Sequence, residues 1–266
     1  MSEQATGSAR RVALVTGAAQ GLGLVTAEAL ACQGYHLVLV DIGSLDAARE
    51  RLNASGAAAE AVRGDVVSES FARGLAEQIA SRHGALDVLV NNAGISCIAA
   101  AEDTTAEQWR RVMDVNLFGP FLLCKYLGAQ MLRRGAGSIV NVASIAGLSG
   151  ISHRSAYNSS KHGLIGLTRT LAAEWGGRGV RVNAVCPAWI KTEMDAADQA
   201  RGAYSDQDIM DRVPLARFAR PADVAQAIVF LADSDKSGFV NGATLTVDGG
   251  WTADASWERL RLGTRS

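Results

Sequence analysis

Close to the N-terminus, the apolar run Arg11–Thr16 (RVALVT) passes directly into Gly17-Ala18-Ala19-Gln20-Gly21-Leu22-Gly23 and then into a helical stretch from about Gly21 to Gln33. A continuous apolar run of this kind reads as a strand covered on both faces. The glycines allow a tight turn and a close backbone approach. The helix that follows begins with N–H groups lacking intrahelical partners and with the positive end of its dipole. A chain that opens this way is committed to strand, turn and helix in sequence.

The remainder repeats that order. HLVLVD (His36–Asp41) reads as a second buried strand, followed by a helix through LDAARERLNAS and a short strand ending before Asp65. Ser68 to His83 is amphipathic, with Phe71, Leu75 and Ile79 at helical spacing. LDVLVN (Leu86–Asn91) is the next strand. Thr105-Ala-Glu-Gln108 fits a capping box and opens a long helix to about Arg134. SIVNVAS (Ser138–Ser144) is a strand, Ser155–Trp175 a helix and VRVNAVCP (Val180–Pro187) a strand. Residues 188–215 show no clean period, which suggests a mobile loop with short helices. Pro221 suits the first turn of a helix running to about Ala232, and ATLTVDGG closes the sheet. Alternating elements predict an α/β fold, with a doubly wound, mostly parallel sheet of about seven strands and helices on both faces. The expected organisation is one domain over 1–266, with a flexible 1–9 and a tail at 251–266.

Composition narrows the function classes. With 48% apolar and 20% charged residues among 266, the chain reads as globular rather than disordered. A net charge of −1 supplies no broad field for nucleic acid or a membrane surface. No uninterrupted apolar stretch approaches the roughly 18 residues of a membrane span. Cys32, Cys97, Cys124 and Cys186 form no C-x-x-C pair, and His36, His83, His153 and His162 show no ligand spacing, so no metal is expected. The polar start lacks the apolar core of a signal peptide, which makes a reducing cytoplasm the expected home.

The glycine turn is spaced G-x-x-x-G-x-G, suited to a pyrophosphate at the helix N-terminus. Taken alone, such a turn also occurs in proteins that bind nothing. Asp41 ends the second strand, 18 residues past Gly23. A carboxylate there accepts hydrogen bonds from the ribose hydroxyls of NAD and repels the 2′-phosphate of NADP, although a strand-end Asp also caps turns. No basic residue adjoins it, since Ile42 and Gly43 follow and Gln20 is neutral. NAD is the expected cofactor.

With TGAAQGLG at 16–23, NNAG at 91–94, Asn116 in VNLFG, Ser144, Tyr157-Asn-Ser-Ser-Lys161 and VDGG at 247–250, the chain resembles the classical short-chain dehydrogenases/reductases over about residues 10–250. The resemblance implies a Rossmann-type fold and a catalytic tetrad of Asn116, Ser144, Tyr157 and Lys161. It implies cofactor contacts from Gly17, Gln20, Gly21, Leu22, Gly23, Asp41 and Ile42. Asp65, with Val66 beside it, would meet the adenine, and Asn91, Asn92, Ala93 and Gly94 would line the adenosine side. Pro187, Ile190 and Thr192 would hold the carboxamide, and a homotetramer would form through the long helix and the Tyr157/Lys161 helix. One departure is Pro187-Ala188 where the family usually has Pro-Gly, and alanine tolerates positive φ poorly.

Oxidising an alcohol requires a base near neutral pH, and tyrosine at its ordinary pKa of about 10 is a poor one. Lys161, one helical turn beyond Tyr157, shares its helix face, and its ammonium favours the phenolate. Ser144 would bond the substrate oxygen, and Asn116 would support Lys161 through a water. The pocket is expected to gather Ser144 and Tyr157 with the stretch after Ser144 (Ile145, Ala146, Leu148, His153), Ile95 and Ser96, and Trp189 through the loop to about Val213, for a secondary alcohol or ketone such as a polyol, a sugar or a cyclic hydroxy compound. Arg154 is expected to face solvent, like most loop residues. Trp109, Phe118, Phe121, Tyr126 and Trp175 are assigned to core or interface packing. The tail is either docked on a neighbouring subunit or frayed. Two other functions stay open: an NADPH-dependent 3-oxoacyl-type ketoreductase, and a regulatory nucleotide-binding protein without turnover.

Overall fold

The computed structural model describes residues 10–192, 196, 198, 199 and 204–263. The chain runs β1 (Val12–Thr16), α1 (Gly21–Ala31), β2 (His36–Asp41), α2 (Asp46–Ala54), β3 (Ala59–Arg63), α3 (Glu69–His83) and β4 (Val88–Asn91). It continues through a long helix α4 (106–134), β5 (Gly137–Val142), α5 (Ser155–Trp175) and β6 (Val180–Pro187). Then follow α6 (Asp206–Arg212), α7 (Pro221–Ala232), α8 (Ser234–Ser237), β7 (Thr244–Val247) and α9 (Glu258–Gly263).

The seven strands form one sheet in the order β3-β2-β1-β4-β5-β6-β7, and every pairing is parallel. Alternate strand side chains feed opposite cores. Val12 and Leu14 face α3, α4 and α5, while Ala13 and Val15 face α1, α2 and α7. Burial on both faces is why these strands read as unbroken apolar runs. The strand order reverses beside β1, where β2 lies on one side and β4 on the other. In open α/β sheets, ligands bind at such a switch point, beyond the carboxyl ends of the strands.

Local signals set the helix ends. Thr105 Oγ1 accepts from Gln108 N, and Gln108 Oε1 accepts from Thr105 N, closing the capping box at the start of α4. Ser68 caps α3 by accepting from Phe71 N. Helix α4 is continuous but twice widens to π-helical turns, at Asp114–Phe118 and Cys124–Gly128. The first of these carries Asn116. Helix α1 stops at Ala31, short of Gln33, because Gly34 turns the chain at φ +82°.

The aperiodic stretch 188–215 holds the capped helix α6. The mobility expected there falls partly on 193–195, 197 and 200–203, and that expected of 1–9 entirely, outside the described residues. Among the described residues, no helix is long and apolar enough to cross a membrane. Ala188 does not need a positive φ: only His153 and Ala216 among the described non-glycine residues have one. Its N–H donates to Val247 O at 3.2 Å, so the replacement of the usual glycine costs the backbone nothing here.

Candidate active site

At the carboxyl edge of the sheet lies a cleft of about 310 Å³, in the size range of small-molecule sites. One wall is the glycine turn. Gly17 has φ +65°, and a Cβ on Gly23 would run into the Gly17 carbonyl. No side chain caps α1, so its first-turn N–H groups are left to the cleft. Asn92 ties the turn to the next strand by donating to Thr16 O (2.9 Å) and Gly17 O (3.2 Å). Thr16 Oγ1 accepts in return from Asn92 N and Ala93 N, both at 3.0 Å. Asn91 lies inside the sheet and donates to Asn141 Oδ1 at 2.8 Å.

The Asp41 carboxylate sits on the same wall, held by Ala19 N (3.1 Å) and Gly43 N (2.9 Å). Its partner in register on β3 is Arg63, whose Nε donates to Ile42 O at 2.9 Å. The structure thus sets a cation beside Asp41 that neighbouring residues in the chain did not reveal. Ile42 is exposed and does not line the cleft. Asp65 and Val66 also lie off it. Asp65 accepts from Val67 N and pairs with Arg111 at 3.5 Å, and Val66 packs against Gly119.

Beyond the glycine turn, the cleft gathers Gly94, Ser144, Ile145, Tyr157, Lys161, Pro187, Trp189, Ile190 and Thr192. Ser144 follows β5 and caps a single turn, accepting from Ala146 N at 3.1 Å. Lys161 is buried; its Nζ donates to Val142 O at 2.7 Å and lies 5.6 Å from the Tyr157 ring centre. Burial pushes the amine down to about 8. Asn116 stands one layer behind. Its Oδ1 accepts from Ile95 N (2.9 Å), and its Nδ2 donates to Ile95 O and Ser160 Oγ, both at 3.0 Å. A Cβ on Gly94 would come 3.3 Å from Asn116 Oδ1 and 3.6 Å from Lys161 Nζ, so a side chain at this position would press on both.

The electrostatics depart from the sequence reading in one respect. Burial raises the Tyr157 pKa above the ordinary phenol value, and the opposing pulls come from the Ser144 hydrogen bond and then the Arg154 charge. Arg154 is thus a second cation near the phenol beside Lys161, one that the sequence reading did not assign to it. Arg154 is buried rather than solvent-facing. Its Nη1 donates to Ser96 Oγ (2.7 Å) and pairs with Asp198 Oδ2 (3.0 Å), and its guanidinium is 6.0 Å from the Tyr157 ring centre. His153 is the exposed member of the pair and does not line the cleft. It holds φ +60°, and its carbonyl accepts from Ala99 N, which turns Arg154 inward.

The outer wall is aromatic. Trp189 stacks on Trp251 with ring centres 4.4 Å apart and meets Tyr204 edge-on at 6.2 Å. Trp251 opens the tail, and Asp248 fixes its turn by accepting from Gly250 N and Thr252 N. The tail lies against its own chain: Arg212 donates to Trp251 O and Asp254 O, and Arg261 to Asp211 O. Sequence reasoning missed Ile151 as a cleft residue and Trp251 as a support, while Asp198 and Tyr204 fall in the loop to about Val213 that it assigned to the pocket without naming them. Asp198 and Tyr204 sit in the aperiodic stretch, where no period marks a wall.

The glycine cradle, the uncapped helix and Asp41 together fit a nicotinamide dinucleotide. Comparison with known proteins points the same way. The profile of the family described as enoyl-(acyl carrier protein) reductase matches residues 17–252. D-threitol dehydrogenase of Mycolicibacterium smegmatis is 40% identical over 91% of this chain and 93% of its own. Cis-4-hydroxycyclohexanecarboxylate dehydrogenase of Sinomonas cyclohexanicum is 43% identical over 92% and 98%. The crystal structure of a gluconate 5-dehydrogenase from Burkholderia cenocepacia, in complex with NADP and tartrate, superposes with a TM-score of 0.87 at 33% identity, covering 92% of this chain and 96% of that one.

Proposed function

The chain belongs to the short-chain dehydrogenase/reductase family of oxidoreductases acting on CH–OH groups, and on that footing we propose that it exchanges a hydride between NAD and a secondary alcohol or its ketone. The carrying observation is the convergence of Ser144, Tyr157 and Lys161 on the cleft that the glycine turn opens. Bound there, the nicotinamide supplies the hydride acceptor or donor. Tyr157 takes the alcohol proton in oxidation and returns it in reduction. Ser144 bonds the reacting oxygen. Lys161 and Arg154 add positive charge near the phenol, and Asn116, held by Ile95 and Ser160, supports the surroundings of Lys161 through a water.

Asp41 supports NAD over NADP, since a 2′-phosphate would meet a carboxylate. Arg63 is the counterweight, although it is engaged with Ile42 O. The Trp189–Trp251 stack offers a flat apolar wall, while Arg154 and Asp198 offer polarity on the same cleft. That combination suits a cyclic hydroxy compound or a sugar-like polyol. Exposed Trp109, Phe118 and Phe121 on α4 support a homotetramer built through that helix.

Purified protein with NAD or NADP and a panel of polyols and cyclic alcohols at alkaline pH tests this through the absorbance of the reduced nicotinamide. Turnover with NADP alone overturns the cofactor assignment and favours the ketoreductase reading. No turnover with any alcohol or ketone favours a regulatory role. Tyr157→Phe should lose roughly 10²–10⁴-fold in kcat while binding NAD with unchanged affinity. Normal turnover in that variant removes Tyr157 as the acid/base.

A further inference from the structure

At the opposite end of the sheet from the cleft, three side chains from distant parts of the chain meet: His36 at the start of β2, Glu60 in β3 and His83 at the end of α3. One ligand atom from each lies within 4.8 Å of the other two. His83 Nε2 is 2.6 Å from Glu60 Oε1, and the two imidazole rings are tilted 44° with centres 4.7 Å apart. The second Glu60 oxygen accepts from Arg82 at 3.1 Å. His36 Nε2 is buried and has no hydrogen-bond partner. A buried polar atom without a partner is rare in folded proteins, and an ion is one of the standard reasons for it.

We propose that His36, Glu60 and His83 form a metal site for a divalent transition ion, with zinc the preferred occupant and water completing its coordination. Two imidazole nitrogens and one carboxylate oxygen are the donor set that zinc takes. Bonds of about 2.0–2.1 Å place tetrahedral ligand atoms roughly 3.3 Å apart. The widest separation must therefore close by up to about 1.5 Å while the 2.6 Å pair of His83 and Glu60 opens, which calls for rotation of three half-buried side chains. Arg82 is the cation most directly opposed to an ion here. Its side chain is mostly exposed, so its pairing with Glu60 is weakly held. Arg10 also carries positive charge toward His36. The ion would tie the edge strand β3 to β2 and to the end of α3. Asp41 lies at the other end of β2, roughly 16 Å away at about 3.3 Å per residue, so the site acts on the fold and not on the hydride-transfer cleft.

The test uses tag-free, full-length protein washed with chelator and titrated calorimetrically with zinc chloride. The expected result is one zinc per chain and a higher unfolding temperature at saturating zinc. His36→Gln and His83→Gln should each bind more weakly by at least the roughly 10–100-fold seen when an outer-shell partner of a metal ligand is lost. Their unfolding temperatures in chelator separate this effect from misfolding. Cobalt(II) provides a second readout, because a four-coordinate nitrogen and oxygen site gives intense visible bands that the double variant His36→Gln/His83→Gln must lose. No zinc binding by the native chain, or equal binding by the double variant, overturns the proposal. Turnover is not the readout, so failure here leaves the dehydrogenase reading intact.

Discussion

Burying Lys161 should leave a signature in the pH dependence of stability. Its pKa falls from the ordinary 10.5 to about 8 because burial penalises the ammonium. The unfolded chain holds that proton until about pH 10.4, while the folded chain releases it near pH 8. Between those values the unfolded state binds more protons, so stability rises with pH across the window. Below pH 8 the full penalty applies, and above pH 10.5 it is gone. The interval of 2.5 decades, at about 1.36 kcal/mol each, is worth roughly 3 kcal/mol. Urea unfolding of the native protein and of Lys161→Met at pH 7 and pH 10 isolates the effect as a difference of differences. The native protein should gain about 2–3 kcal/mol more than the variant on going to pH 10. Buried Cys124 and Cys186, with thiols pushed up to about 12 and about 11, lose stability as pH rises past 9. They are present in both proteins and cancel, apart from the coupling of Cys186 to Lys161. Equal pH responses within about 0.5 kcal/mol, the usual scale for additive sites, would refute the buried-amine argument.

Gly23→Ala drives a methyl group into the Gly17 carbonyl, and a displacement of about 1 Å at a positioned site costs on the order of 10²-fold. NAD affinity, followed by fluorescence, should fall by about that factor, and unchanged affinity would remove the cradle from the binding site. Trp251→Ala deletes the stack behind Trp189; at about 0.5–1.5 kcal/mol per aromatic pair it should lower kcat/KM for a cyclic alcohol by roughly 2–10-fold without changing NAD affinity. No change in kcat/KM would show that the tail does not shape the substrate wall. Arg154→Met removes the nearby charge that pulls the phenol pKa down and leaves Asp198, which pushes it up. The alkaline-going limb of the pH–rate profile should therefore move to higher pH, and a shift to lower pH would contradict the placement of Arg154.

Much of this fold was legible along the chain because its signals are local. Strands covered on both faces must be apolar throughout, and Val12–Thr16, His36–Asp41 and Val180–Pro187 announce themselves for that reason. The Thr105–Gln108 cap and the Pro221 start act within one helical turn. Tyr157 and Lys161, one turn apart on α5, share a face by helix geometry alone. The phosphate cradle is local too, since the Gly17–Gly23 contact closes within a single turn.

What stayed hidden depends on which distant segments come into contact. Arg154 faces the cleft because a left-handed backbone at His153 and the bridge to Ala99 turn it there, and Asp198 then receives it. Arg63 stands beside Asp41 only through the β2–β3 register, and Trp251 supports Trp189 only because β7 ends beside β6. His36, Glu60 and His83 carry no shared spacing, yet adjoining strands and the end of α3 bring them within 4.8 Å. Residue order governs burial periodicity and turn chemistry over a few positions. Side-chain direction, desolvation and the meeting of remote charges are set by packing, and these decide the acidity of Tyr157 and Lys161.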